Sequence, residues 1–133
     1  MRSPCHLSYE RKRGIDCVVK LKNKDGTYRR NKKGFVIFEN IEIKFDKASE
    51  QTGNVYVEQQ ALDHSRSAIW LYGLPENDKI AVYSLLLSDL REFAPKLGKA
   101  VVGGEFRSTG YLIPKPIFIS QPWVHKWKTI NLN

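Results

Sequence analysis

The stretch Ile41-Glu42-Ile43-Lys44-Phe45-Asp46 alternates apolar and charged side chains without a break. A period of two suits a strand with one apolar and one polar side, and it conflicts with the 3.6-residue period of an amphipathic helix. Residues 15–22 alternate in the same way, with Ile15, Cys17, Val19 and Leu21 set against Asp16, Val18, Lys20 and Lys22. Two such runs commit the chain to a sheet. Further β-rich runs lie at 34–38, 55–59, 68–72 and 79–83. Asn23-Lys24-Asp25-Gly26 supplies hairpin-turn chemistry between the first two runs. Thr27 to Lys33 is too charged for a core and reads as the wet end of a hairpin or a loop. Asn40 marks an expected bulge or break, and residues 47–53, 61–66 and 74–78 read as polar connections or turns.

One helix stands out. Leu90, Phe93, Ala94 and Leu97 fall at i, i+3, i+4 and i+7, which makes one buried stripe. Ser88 is the expected N-cap, Asp89 suits the first turn, and Gly98 is the expected C′ residue. Pro95 predicts a kink or an early stop near Ala94. Beyond it the pattern is less regular. Val101 to Gly104 suits a short strand or turn, residues 110–119 suit an extended edge segment broken by Pro114 and Pro116, and the tail mixes aromatics with lysines. The chain of 133 residues therefore reads as a single α/β domain, 1–133, with a central sheet, flanking helices and a less regular C-terminal extension over 96–133.

Charge narrows the function. The net charge is +8, and between Lys20 and Lys33 seven basic residues face one acid, Asp25. Such a surface attracts polyanions and binds phosphate backbones through counterion release. Lys20, Lys22, Arg29, Arg30, Lys32 and Lys33 are the candidate phosphate contacts; a solvated hairpin tip is the plainer alternative. No amphipathic helix accompanies the basic run, which disfavours a lipid surface. No apolar stretch is long enough to span a membrane, and the start lacks the apolar segment of a signal peptide. Cys5 and Cys17 lack metal-type spacing and read as reduced thiols of a cytosolic protein, Cys17 in the core, with one disulfide left open. His6, His64 and His125 are too scattered for a zinc site. Trp70 reads as core, and Trp123 and Trp127 as caps on the core or as stacking surfaces for bases.

The chemistry centres on Glu42 and Lys44. Two apart in a strand, they emerge on one side, with Asp46 beyond them, while Ile41, Ile43 and Phe45 are expected to anchor the other side in the core. Asp16 lies on the polar side of the earlier strand; if the strands pair, its carboxylate meets that of Glu42. Asp16 and Glu42 then form a hard-oxygen pair for Mg²⁺ or Mn²⁺. Lys44 is placed to stabilise charge on a phosphoryl group or to position the attacking water. Glu58, at the end of the 55–59 run, is a further candidate acid. An acid–lysine pair on a solvated sheet face accounts for the same residues without any chemistry.

Asp16 followed by Glu42-Ile43-Lys44 resembles the core signature of the PD-(D/E)XK nuclease superfamily. Asp16 corresponds to the first acid, Glu42 to the second and Lys44 to the lysine. The longer run through Asp46, with Thr52-Gly53-Asn54-Val55-Tyr56-Val57-Glu58 after it, is similar to small phage-type members, some related to Holliday-junction resolvases. The resemblance covers roughly residues 14–95. It implies a restriction-endonuclease-like core with a mixed central sheet and flanking helices, a divalent metal, and hydrolysis of phosphodiester bonds in DNA, branched DNA included. The implied location is the cytoplasm, the host's if the gene is carried by a phage. Ile15 stands where many members have proline. The alternative is a basic module on the same fold that binds nucleic acid without cutting it. Symmetric cutting of two strands calls for two sites, which a homodimer would supply.

Overall fold

The computed structural model describes residues 17–103 and 108–132. Among them are the strands β1 (Cys17–Lys20), β2 (Phe38–Phe45), β3 (Asn54–Glu58), β4 (Ile69–Glu76), β5 (Lys79–Leu86), β6 (Lys99–Gly103), β7 (Ser108–Pro114) and β8 (His125–Asn131). The helices are α1 (Ser49–Thr52), α2 (Gln59–His64), α3 (Leu87–Leu97) and α4 (Lys115–Ser120). Five strands form a sheet in the order β1-β2-β4-β5-β8, and β3-β7-β6 form a second, antiparallel sheet. In the larger sheet β2 and β4 are parallel and all other neighbours antiparallel. The result is a mixed α/β fold with a central sheet flanked by helices. Parallel neighbours need a long crossover; here it runs through α1, β3 and α2, and so carries β3 into the second sheet.

The core fills the space between the larger sheet and the elements laid on it. Trp70, Tyr72 and Leu74 of β4 and Ala81, Tyr83 and Leu85 of β5 meet Val55 and Val57 of β3, Ile113 of β7, Leu87, Leu90 and Ala94 of α3 and Phe118 of α4. Tyr72 meets Phe118 edge-on with ring centroids 5.4 Å apart. The opposite side of the larger sheet carries a groove of about 500 Å³, lined by Cys17, Val19, Ile41, Ile43, Leu71 and Trp127 among others. No helix among the described residues is long and apolar enough to cross a membrane.

Several local expectations are corrected by tertiary context. Asn40 is no break, since it pairs with Val18 within a continuous β2. The polar stretches 47–53 and 61–66 contain α1 and α2, each of which buries a single residue, Ser49 and Leu62. β4 runs on through Pro75, which pairs with Ile80. Pro75 lies beyond the last β2–β4 pair, Phe45 with Gly73, so β5 is its one sheet neighbour and the missing N–H costs little. Ser88 is not the cap of α3. The cap is Leu86, without a side-chain bond, and the Leu87 N–H donates to the Ala68 carbonyl at 2.8 Å. α3 also continues through Pro95, because the helix ends two residues later at Leu97 and the ring removes one bond from a turn already terminating. Gly98 is needed for close approach rather than a left-handed turn: a methyl there would sit 2.9 Å from the Tyr111 Cβ.

The segment after Leu97 is regular. It forms β6, β7, α4 and β8, with Pro114 closing β7 and Pro116 in the first turn of α4. The tail becomes β8, an exposed strand beside β5. The two tryptophans separate. Trp123 stacks on Phe93 at 5.6 Å and caps the core, whereas Trp127 lies half-exposed on β8. Cys17 is buried, as expected, but it is disulfide-bonded rather than a thiol. The chain's other cysteine, Cys5, lies outside the described residues. Whether two sulfurs meet is a matter of folded geometry that spacing does not show. Disulfides persist in oxidising compartments, so the thiol argument for a cytosolic protein falls away.

Residues 21–37 form two successive hairpins. Asn23-Lys24-Asp25-Gly26 and Asn31-Lys32-Lys33-Gly34 close alike: the glycine N–H donates to the asparagine carbonyl at 3.1 and 3.0 Å, and the asparagine N–H donates to Thr27 and Phe35 at 2.8 and 2.9 Å. Gly26 and Gly34 have φ of 89° and 86°, the left-handed region that favours glycine. At their base three backbones form a closed ring. Leu21 donates to Ile37, Ile37 to Arg29 and Arg29 to Leu21, at 3.0, 2.9 and 2.9 Å.

Candidate functional site

Glu42 and Lys44 do emerge from the same side of β2, but it is the inner side. Their pairs in β4 are Trp70 and Tyr72, two of the most buried residues of the core. Glu42 is only 9% exposed, whereas Ile43 and Phe45, expected as the core anchors, are 47% and 55% exposed. Alternation fixes which residues share a side. Which side becomes the core depends on where the crossover lays β3 and the helices, and no short stretch of sequence contains that.

A buried carboxylate needs partners. The Ser65 hydroxyl donates to Glu42 Oε1 at 3.1 Å. The Ser65 Oγ itself accepts the Trp70 indole N–H at 3.2 Å and the Ser67 backbone N–H at 3.2 Å, so this hydroxyl uses its one donor and both acceptor positions. Lys44 Nζ lies 3.5 Å from Glu42 Oε2 and 5.6 Å from the centroid of the Trp70 ring. The lysine is therefore held between a carboxylate and a π face, with its side chain 35% exposed and within reach of a ligand.

Beside this pair lies an open cavity of about 210 Å³ lined by Lys44, Phe45, Asp46, Tyr56, Glu58 and Tyr72. Glu58 reaches it because Val55 and Val57 turn into the core and leave Tyr56 and Glu58 on the other side of β3. Asp46 Oδ2 accepts the Tyr56 backbone N–H at 2.7 Å, which ties the end of β2 to β3. The Tyr56 hydroxyl donates to the Ser108 carbonyl at 3.0 Å. The Tyr72 phenol is pushed far above the ordinary tyrosine range, first by burial and then by the negative charges of Asp46, Glu42 and Glu58. It stays a neutral hydroxyl among three carboxylates.

The structure thus pairs Lys44 with Glu42 and places Lys44 and Glu58 on one cavity. Asp16 lies outside the described residues. Lys20 and Lys22 flank the Tyr28 ring at 5.2 and 5.6 Å, and Arg29, Arg30, Lys32 and Lys33 lie exposed on the twin hairpins. None of these six lines the cavity beside Lys44. Ser65 and Tyr72 were not foreseen as site residues. Ser65 sits in a polar stretch and carries no local signal, and Tyr72 reads as an ordinary strand aromatic. Among the described residues no three His, Cys, Asp or Glu side chains converge closely enough to hold a metal ion. No family model, no curated protein and no solved structure matches the chain.

Proposed function

We propose that this protein is a divalent-metal-dependent endonuclease acting on DNA, built on a restriction-endonuclease-like core of the PD-(D/E)XK kind. The observation that carries the reading is the Glu42–Lys44 pair, held on the inner side of a sheet strand, with Lys44 lining a cavity that Asp46 and Glu58 also line. A rigid strand is what a catalytic pair requires. The basic hairpins supply attraction for a polyanion.

Glu42 offers one hard-oxygen carboxylate, and magnesium or manganese needs more than the described residues gather at one point. The proposal therefore assigns the second carboxylate to Asp16. Cys17, the next residue in the chain, pairs with Ile41, and Val18 with Asn40. When bound, the cation would polarise the phosphodiester and acidify a water. Lys44 would exchange Glu42 for a phosphoryl oxygen and balance the charge that develops there. Glu58, across the cavity, would hold or deprotonate the incoming water.

The test is cleavage of plasmid, single-stranded and branched DNA in Mg²⁺ or Mn²⁺ by the wild type and by Glu42→Gln and Lys44→Met. The expected loss for either variant is roughly 10²–10³-fold, and undiminished cleavage by either would remove that residue from the site. One observation favours a second reading, a binding module without catalysis: the Glu42–Lys44 ion pair is already closed, as a purely structural pair would be. Salt-sensitive binding with no cation-dependent cleavage would select it.

A further inference from the structure

The twin hairpins hold two tips in a defined relation, because both turns close with the same bonds and both rest on the Leu21–Arg29–Ile37 ring. At equivalent positions of the two turns stand Lys24 and Lys32, both exposed, with Lys33 beside the second. Immediately after the second turn comes Phe35, 66% exposed, although Asn31 Oδ1 fixes its backbone by accepting its N–H at 3.0 Å. Phe38, at the start of β2, is 52% exposed. It pairs with Lys20, whose ammonium faces the Tyr28 ring. The twin hairpins and the start of β2 thus carry exposed lysines beside solvent-facing rings.

Lysines alone would suit any polyanion. Exposed rings held in place among them suit one whose flat faces are accessible, because a base in a duplex is covered by its neighbours and an unpaired base is not. We infer that the twin hairpins bind single-stranded nucleic acid, with Lys24 and Lys32 on backbone phosphates and Phe35 stacked on an unpaired base. Phe38 lies four residues before Glu42, about 13 Å along the strand, so a strand gripped here leads toward the pocket. The inference does not depend on the hydrolase reading, because it needs neither cation nor cleavage.

The experiment is fluorescence anisotropy in EDTA with the full chain. The probes are a labelled thymidine oligomer, a blunt duplex of the same length and vesicles of anionic lipid. Phe35→Ala is expected to weaken oligomer binding roughly five- to hundredfold, with duplex binding and the salt slope unchanged. Lys24→Ala with Lys32→Ala is expected to flatten the slope of log affinity against log salt by about 1.4, near 0.7 per lost phosphate contact. Phe35→Trp is expected to retain affinity and to lose fluorescence as the oligomer binds. Unchanged oligomer binding by Phe35→Ala, or tighter binding of the wild type to duplex or to vesicles, would overturn the inference. Circular dichroism of each variant shows whether the fold is intact, and because endonuclease activity is not read, failure here leaves the Glu42–Lys44 proposal standing.

Discussion

Ser65→Ala deletes a hydroxyl that serves three partners at once: the Trp70 indole, the Ser67 backbone N–H and the Glu42 carboxylate. Trp70 and Ser67 are both 0% exposed, so neither donor regains a partner simply by turning to solvent. A buried donor left without a partner costs about 1–3 kcal/mol. Two such donors, eased by water entering at the partly exposed Ser65, give a loss on the order of 2–4 kcal/mol, plus a slackening of Glu42. For a domain of this size each kcal/mol lowers the melting temperature by roughly 3–5 °C. The assay is urea unfolding monitored by tryptophan fluorescence, with the midpoint shifted and the slope preserved. Trp70→Phe removes the indole donor from the other side, so the double variant should fall short of the summed single losses by about 1 kcal/mol. A Ser65→Ala loss below about 0.5 kcal/mol, or full additivity with Trp70→Phe, would refute the bridging role.

Gly110→Ala places a methyl 2.5 Å from the Val57 carbonyl oxygen and 2.7 Å from the Tyr56 ring, so it should destabilise the β3–β7 pair by about 2–4 kcal/mol in the same unfolding assay. Tyr72 and Tyr83 both have raised pKa values, chiefly through burial. The unfolded chain releases these protons near pH 10 while the folded chain keeps them, so their stabilisation is complete below that pH and is lost above it, at up to about 1.4 kcal/mol per pH unit for the fully buried Tyr72. Alkaline melts of Tyr72→Phe should show a shallower decline than the wild type. Lys44→Met removes the ammonium that faces the buried Glu42 carboxylate, and it should lower the urea midpoint at neutral pH, with Lys44→Arg recovering part of the loss.

Alternation marked β1 and the second half of β2, β-rich runs marked β3 and the first parts of β4 and β5, and the Asn23–Gly26 turn was readable from its residues. What stayed hidden depends on distant partners. Ile43 and Phe45 look like core because they are apolar, yet the crossover lays β3 on the side of Glu42 and Lys44 instead. The buried Glu42 takes a hydroxyl from Ser65, far along the chain, which Trp70 and Ser67 hold in place. The short helices α1 and α2 escaped notice because one inward residue each, Ser49 and Leu62, makes no periodic pattern. Pro114 and Pro116 read as breaks in a single extended run, whereas one ends β7 and the other starts α4. The second turn, Asn31 to Gly34, was obscured by its charge, though it repeats the pattern of the first. Within the candidate site, the shared side of Glu42 and Lys44 and the orientation of Glu58 beside Tyr56 were legible, because strand parity fixes them. The Trp70–Ser65 support was not.

The most direct measurement is an anomalous-difference map from crystals of the full chain soaked in Mn²⁺. The expected result is a peak at coordination distance, about 2.2 Å, from carboxylate oxygens of both Glu42 and Asp16, with the Lys44 ammonium drawn away from Glu42. No peak at Glu42, or an Asp16 carboxylate on the groove side of the sheet beside Cys17, would contradict the proposed site.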